Sequence, residues 1–150
     1  DNHLNTRAIT KACEDMAQTK TGAIIILTQI DDLAVFCESG VEMNSEISIP
    51  MLESIFYKNS PLHDGAVIIR ENKIISARCV LPVSNSTELP GRLGMRHRAA
   101  VGITEESDAI AIIVSEETGE ISYAKDGNLF TKRTGSQLEH FLNRIFTQSK

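Results

Sequence analysis

The sequence predicts an α/β fold: a central mixed β-sheet of about six or seven strands flanked by helices. Three observations predict it. Short unbroken apolar runs, such as "TGAIIIL" (21–27) and "AIAIIVS" (109–115), have strand length and no polar face, so they suit strands covered on both sides. Apolar residues at helical spacing mark both ends of the chain. Turn residues separate these segments, with no internal repeat and no shift in composition that would mark a second domain.

In order, residues 4–18 place Leu4, Ala8, Ala12, Cys13 and Met16 on one helical face. Strand 21–27 follows, and "LAVFC" (33–37) is expected to pair with it across an Asp31-Asp32 turn. "SEISIPMLESIFYK" (45–58) reads as a helix, with Ser45 a possible N-cap and Pro50 awkwardly early. "GAVIIR" (65–70) and "KIISARCVL" (73–81) form a hairpin joined by Glu71-Asn72. A polar loop with Pro82 and Pro90 leads to a short helix within 92–106. Strands at 109–115 and 120–125, a turn at 126–128 and a helix over 135–148 complete the chain, the last with Leu138, Phe141, Leu142 and Ile145 as its stripe. The organisation is one domain over 1–150: an N-terminal helix or connector to residue 19, a core over 20–125, and the C-terminal helix.

The 150 residues suffice for a core without staples, since a chain of this size buries roughly 70% of its unfolded surface. A net charge of −5 argues against general affinity for a nucleic-acid backbone, which requires a basic footprint. The scattered Cys13, Cys37 and Cys79 form no metal-binding pair and suit a reducing compartment. Asp1 in place of methionine suggests a piece of a longer protein.

Three polar clusters stand at ends of predicted buried strands, where binding groups gather. In Arg96-His97-Arg98, the guanidiniums suit a polyanion because each presents a planar fork to phosphate. If this stretch opens a helix, its free N–H groups add to the anion site, although Arg96 and Arg98 then stand about 200° apart around the axis. In His63-Asp64-Gly65-Ala66, the carboxylate is most simply a turn residue. Beside a triphosphate it would repel, by about 4 kcal/mol for two charges at 4 Å and a dielectric of 20. Magnesium or manganese would resolve that conflict, and the same group could accept a proton from a hydroxyl. His63 could ligate metal or merely orient Asp64. The third cluster, Ser115-Glu116-Glu117, could meet metal or be a solvated loop. No P-loop, dinucleotide fingerprint, nucleophile elbow or zincin motif occurs.

"SPLHDGAVI" (60–68), "LGMRHRAAVGI" (93–103) and "VSEETGEIS" (114–122) resemble the diadenylate cyclase domain, with "KTGAIIIL" (20–27) similar to its first core strand. The resemblance implies condensation of two ATP into cyclic di-AMP, with release of two pyrophosphates, across a face-to-face homodimer that needs a divalent metal. It implies that Asp64 activates the ribose 3′-hydroxyl and helps hold metal, with His63 and Glu117. Gly65 and Ala66 would lie against ribose and base, Leu81 near adenine, and Met95, Arg96, His97, Arg98, Ser115 and Glu116 along the phosphates. Met95 replaces a frequent threonine or serine, and Val80 an aromatic of some relatives. The first helix is similar to the connector of the membrane-anchored branch, which implies a cytoplasmic catalytic domain of a membrane-anchored parent. A non-catalytic adenine-nucleotide sensor and a metal-dependent nucleotide phosphohydrolase are the competing readings.

Overall fold

The computed structural model describes residues 3–148; the ends of the predicted connector and of the chain, residues 1–2 and 149–150, lie outside the described residues. Seven strands form one mixed sheet in the order β3-β5-β4-β2-β6-β7-β8, comprising β2 (Ala23–Leu27), β3 (Val41–Glu46), β4 (Ala66–Arg70), β5 (Lys73–Cys79), β6 (Ile110–Val114), β7 (Ile121–Lys125) and β8 (Asn128–Arg133). The central β2 runs parallel to β4 and antiparallel to β6, with Ile25 opposite Val67 and Ile112.

Alternation within these strands splits the core in two. Ala23, Ile25, Leu27, Val67, Ile69, Ile112 and Val114 face one layer, formed by α1 (Thr6–Gln18), α3 (Ile49–Phe56) and α5 (Gly135–Ile145). Ile24, Ile26, Ala66, Ile68, Ala111 and Ile113 face the other, formed by α4 (Met95–Glu106) with α2 (Ala34–Glu38). Every residue of β2 and β6 is buried, as expected for strands covered on both sides.

Local chemistry sets the helix starts. The Asn5 side chain accepts from Ala8 N–H and opens α1 two residues later than the predicted start. Ser48, not Ser45, caps α3 by accepting from Met51 N–H, which places Pro50 in the first turn, where a missing N–H costs nothing. A reciprocal Thr134–Gln137 pair caps α5. That helix stops at Ile145, and Thr147–Gln148 (β9) pairs with His3–Leu4 (β1) instead of extending it.

Two further expectations are corrected, and one strand, β8, appears where none was expected. The expected strand 33–37 is replaced by the helix Ala34–Glu38, because β4 and β6 occupy both edges of β2. Asp31 and Asp32 also fold the backbone back, by accepting from Leu33 and Ala34 N–H. The predicted helix 45–58 begins with the end of β3, a polar edge strand whose pairing with β5 is interrupted at Asn44 (φ 48°). The strand β8 follows the predicted turn at 126–128, whose Asp126 and Gly127 both have positive φ. The Glu71-Asn72 hairpin has the same signature and forms where expected.

On α4, Gly102 lets the chain after β5 lie against the helix: a Cβ there would fall 2.1 Å from Pro82 O. Gly102→Ala improves helix propensity by about 1 kcal/mol, but a backbone oxygen cannot yield as a flexible side chain would. Net destabilisation of about 1–3 kcal/mol is expected, lowering the thermal midpoint by several degrees. A stabilised variant in a thermal melt would contradict this packing.

Candidate active site

Strand directions bring distant segments to one edge of the sheet. Gly22 precedes β2, Asp64-Gly65 precedes β4, Val80-Leu81 follows β5, and Ser115 follows β6. Because β5 and β6 run antiparallel to their neighbours, their ends lie beside the starts of β4 and β2. The N-terminus of α4 and the start of β3 join the same edge, and two cavities open there.

The first, of about 430 Å³, is polar, and Asp64, Arg92, Gly94, Arg96, His97, Ser115 and Glu117 are among its lining. The second, of about 560 Å³, is more apolar and includes Ile24, Gly40, Val41, Leu81, Val83 and Met95. Asp64, Met95 and Arg96 belong to both, so a carboxylate and a guanidinium stand at the junction. Both volumes are on the scale of small-molecule sites, roughly 300–1,000 Å³.

Asp64 is exposed and makes no hydrogen bond or ion pair among the described residues. Gly65 beside it has φ 88°, and a Cβ would fall 2.7 Å from Cys79 O, so glycine is required to fit the strand mouth against β5. Gly65 also borders the apolar cavity. Ala66 is fully buried in the sheet core and lines neither cavity, so its side chain packs rather than facing a ribose or base.

His63 Nδ1 lies 2.7 Å from Ser60 O; a carbonyl only accepts, so Nδ1 donates in this bond. His63 borders a third cavity, of about 740 Å³, with Lys20, Lys58, Arg96 and Glu116. Among the described residues no group of three or more His, Cys, Asp or Glu is placed to hold a metal ion. The three residues expected to ligate metal are thus not gathered as one set: Asp64 and Glu117 line the polar cavity, whereas His63 borders the third.

The arginine pair diverges as the helix geometry requires. Arg96 crosses over Gly22 and forms an ion pair with Glu116 at 3.0 Å. Arg98 lines neither cavity; its Nη1 and Nη2 donate to Ser86 O and Pro90 O at 3.5 and 3.4 Å. Helix α4 starts after Gly94 with no side-chain cap, so the N–H groups of its first turn remain for an anion. Ser115 Oγ accepts from Glu117 and Thr118 N–H, which shapes the turn at the opposite wall. Leu81 is buried at the base of the apolar cavity and Met95 exposed at its rim.

Residues missed by the sequence reading are Arg92, in the polar cavity, and Ser39-Gly40-Val41, in the wall of the apolar one. Arg92, between Gly91 and Gly94, was legible as a third guanidinium of the same basic segment. The 39–41 wall carried no local signal, because only β3–β5 pairing and the bond from Val80 N–H to Ser39 Oγ bring it here.

Burial, and next the positive charge of Arg92, hold His97 below its ordinary pKa of 6.5, so the imidazole is neutral near pH 7. As pH falls below 6.5 the unfolded chain takes up a proton that the folded chain resists, and stability is lost towards the depressed folded value. Thermal melts of wild type and His97→Gln between pH 7.5 and 5.5 are expected to show a shallower loss in the variant. Equal slopes would remove His97 as the cause.

Residues 10–129 match the family described as DAC, DisA bacterial checkpoint controller nucleotide-binding. The chain is 46% identical to diadenylate cyclase CdaS of Bacillus thuringiensis over 82% of this chain and 61% of that protein. It is 44% identical to cyclic di-AMP synthase CdaA of Bacillus subtilis, over 95% of this chain and 52% of that one. It thus spans between half and two thirds of the length of these relatives. Among solved structures, a double mutant of DacA from Staphylococcus aureus superposes with a TM-score of 0.91 at 43% identity, covering 93% of both chains. A hypothetical membrane spanning protein from Bacillus cereus superposes with a TM-score of 0.82 at 44% identity, covering 85% of this chain and 63% of that one. The family match, the identities and the shared fold agree: this chain belongs to the DAC nucleotide-binding family.

Proposed function

We propose that this chain is a diadenylate cyclase domain that joins two ATP molecules into cyclic di-AMP. The observation that carries the reading is the placement of Asp64. It is an exposed, unpartnered carboxylate at the junction of a cavity suited to phosphate and one suited to an aromatic base. Curated relatives at 44–46% identity bear the names diadenylate cyclase and cyclic di-AMP synthase, which supports the choice of reaction.

In this reading adenine enters the apolar cavity against Leu81, and the ribose passes Asp64. The triphosphate lies along Arg96, His97, Met95 and the free N–H groups of α4, facing the Ser115 turn. Asp64 accepts the proton of a ribose 3′-hydroxyl, whose oxygen bonds to the α-phosphorus of the other nucleotide while the bond to pyrophosphate breaks. Two such exchanges close the ring and release two pyrophosphates. One chain holds one nucleotide, so a face-to-face homodimer supplies the second, by the self-complementary logic of two-fold interfaces. Magnesium or manganese beside Asp64, with its other ligands supplied by phosphate oxygens and water, would screen the phosphate charge. Arg96 and the helix N-terminus contribute fixed positive potential with no reorganisation at the moment of reaction.

Among the described residues no helix is long and apolar enough to cross a membrane. We place the domain on the cytoplasmic side of a membrane-anchored parent. Its partial coverage of longer relatives, and the likeness to a protein named as membrane spanning, support this.

Incubation with ATP and Mg²⁺ or Mn²⁺, followed by mass identification of products, is expected to yield cyclic di-AMP. ADP or AMP would indicate a phosphohydrolase, and bound but unchanged ATP a sensor. Asp64→Asn is expected to retain ATP binding and lose at least about 100-fold in turnover; full activity would eliminate Asp64 as the base. The rate per chain should rise with protein concentration in dilute solution, and a constant rate from a demonstrated monomer would exclude the paired mechanism.

A further inference from the structure

Residues 82–94 cross from β5 to α4 without regular structure, yet they are tied to that helix along their length. Pro82 O lies in the space that Gly102 leaves open. Ser84, only 3% exposed, donates through its N–H to Arg98 O at 2.9 Å and through its hydroxyl to Glu105 Oε2 at 2.8 Å. Arg98 then reaches back over the segment, donating to Ser86 O and Pro90 O. Both bonds are long, but together they bracket the loop from one rigid guanidinium. Past Pro90 the chain turns, with Leu93 N–H donating to Pro90 O and the Leu93 side chain buried, and this turn carries Arg92 to the polar cavity.

The charges of that cavity make Arg92 consequential. Asp64, Glu116, Glu117 and Glu120 face only two guanidiniums, Arg92 and Arg96, and Arg96 is already paired with Glu116. Arg92 forms no ion pair among the described residues. It is therefore the cation most readily given to an entering anion. Its charge is also felt at His97, deeper along the same wall.

We infer that Arg92 is the second polyphosphate-binding arginine of this site, and that Arg98 is a positioning residue that holds it there by clamping the 84–90 loop. This rests on reading the polar cavity as a polyphosphate site. It replaces direct contact by Arg98 with an indirect action through the loop.

The test is calorimetric titration with inorganic tripolyphosphate and Mg²⁺, paired with hydrogen exchange over residues 84–94. Arg92→Gln is expected to weaken binding roughly threefold to tenfold without altering loop exchange. Arg98→Met should speed loop exchange and weaken binding by a similar factor, and the double variant should bind no more weakly than Arg92→Gln. Arg98→Lys keeps the charge but cannot bracket two carbonyls, so it should follow Arg98→Met; it also serves if the methionine variant folds poorly. Unchanged binding by Arg92→Gln would overturn the inference. So would additive losses in the double variant, or wild-type affinity in Arg98→Lys with a loosened loop. Absence of tripolyphosphate binding by the wild type would instead remove the polyphosphate reading on which the inference stands.

Discussion

Three adjacent strands, β2, β4 and β6, bury side chains on both faces, and helices must therefore cover the sheet on both sides. Polar groups cannot sit on those faces, so the chemistry is displaced to strand ends and the connections beyond them. Because β2 and β4 run one way and β5 and β6 the other, strand starts and strand ends share one edge. That edge gathers Asp64, Leu81, Ser115 and the first turn of α4 from segments far apart in the chain. The site is thus a consequence of how the apolar core is layered.

At that edge the balance of charge is unusual for an anion site. Carboxylates outnumber guanidiniums in the polar cavity, and the imidazole there is kept neutral by burial and by Arg92. The positive potential comes from Arg92, from Arg96 and from the unsatisfied N–H groups of α4. On the proposed function, an entering polyphosphate would compete with Glu116 for Arg96 and would need a cation to lie beside Asp64 and Glu117. The acidic surplus and the proposed need for a divalent metal are two aspects of one electrostatic problem.

Legibility followed the range of the interactions. The double-sided strands, the two-residue hairpin at Glu71-Asn72 and the amphipathic ends were readable because burial period and turn chemistry are local. The segment 33–37 was misread because its apolar residues suit either a strand or a helix. Competition for the edges of β2 decided the matter, and that is known only once β4 and β6 are in place. The polar strands β3 and β8 escaped notice because an edge strand needs little hydrophobicity to pair.

For the site, residue types and spacing determined by themselves that a carboxylate, an imidazole and several guanidiniums lie at strand and helix boundaries. The divergence of Arg96 and Arg98 also follows, since side chains two apart on a helix point to opposite flanks. Tertiary structure alone decided which flank faces the cavity, that Arg98 bonds to the 84–90 loop while Arg92 stands in the polar cavity, and that Ala66 is buried in the core. It alone joined the 39–41 segment to the apolar wall. The physical reason is that sequence carries each residue's chemistry and local conformational preference, whereas its neighbours across the sheet edge depend on strand order, set by burial of the whole core.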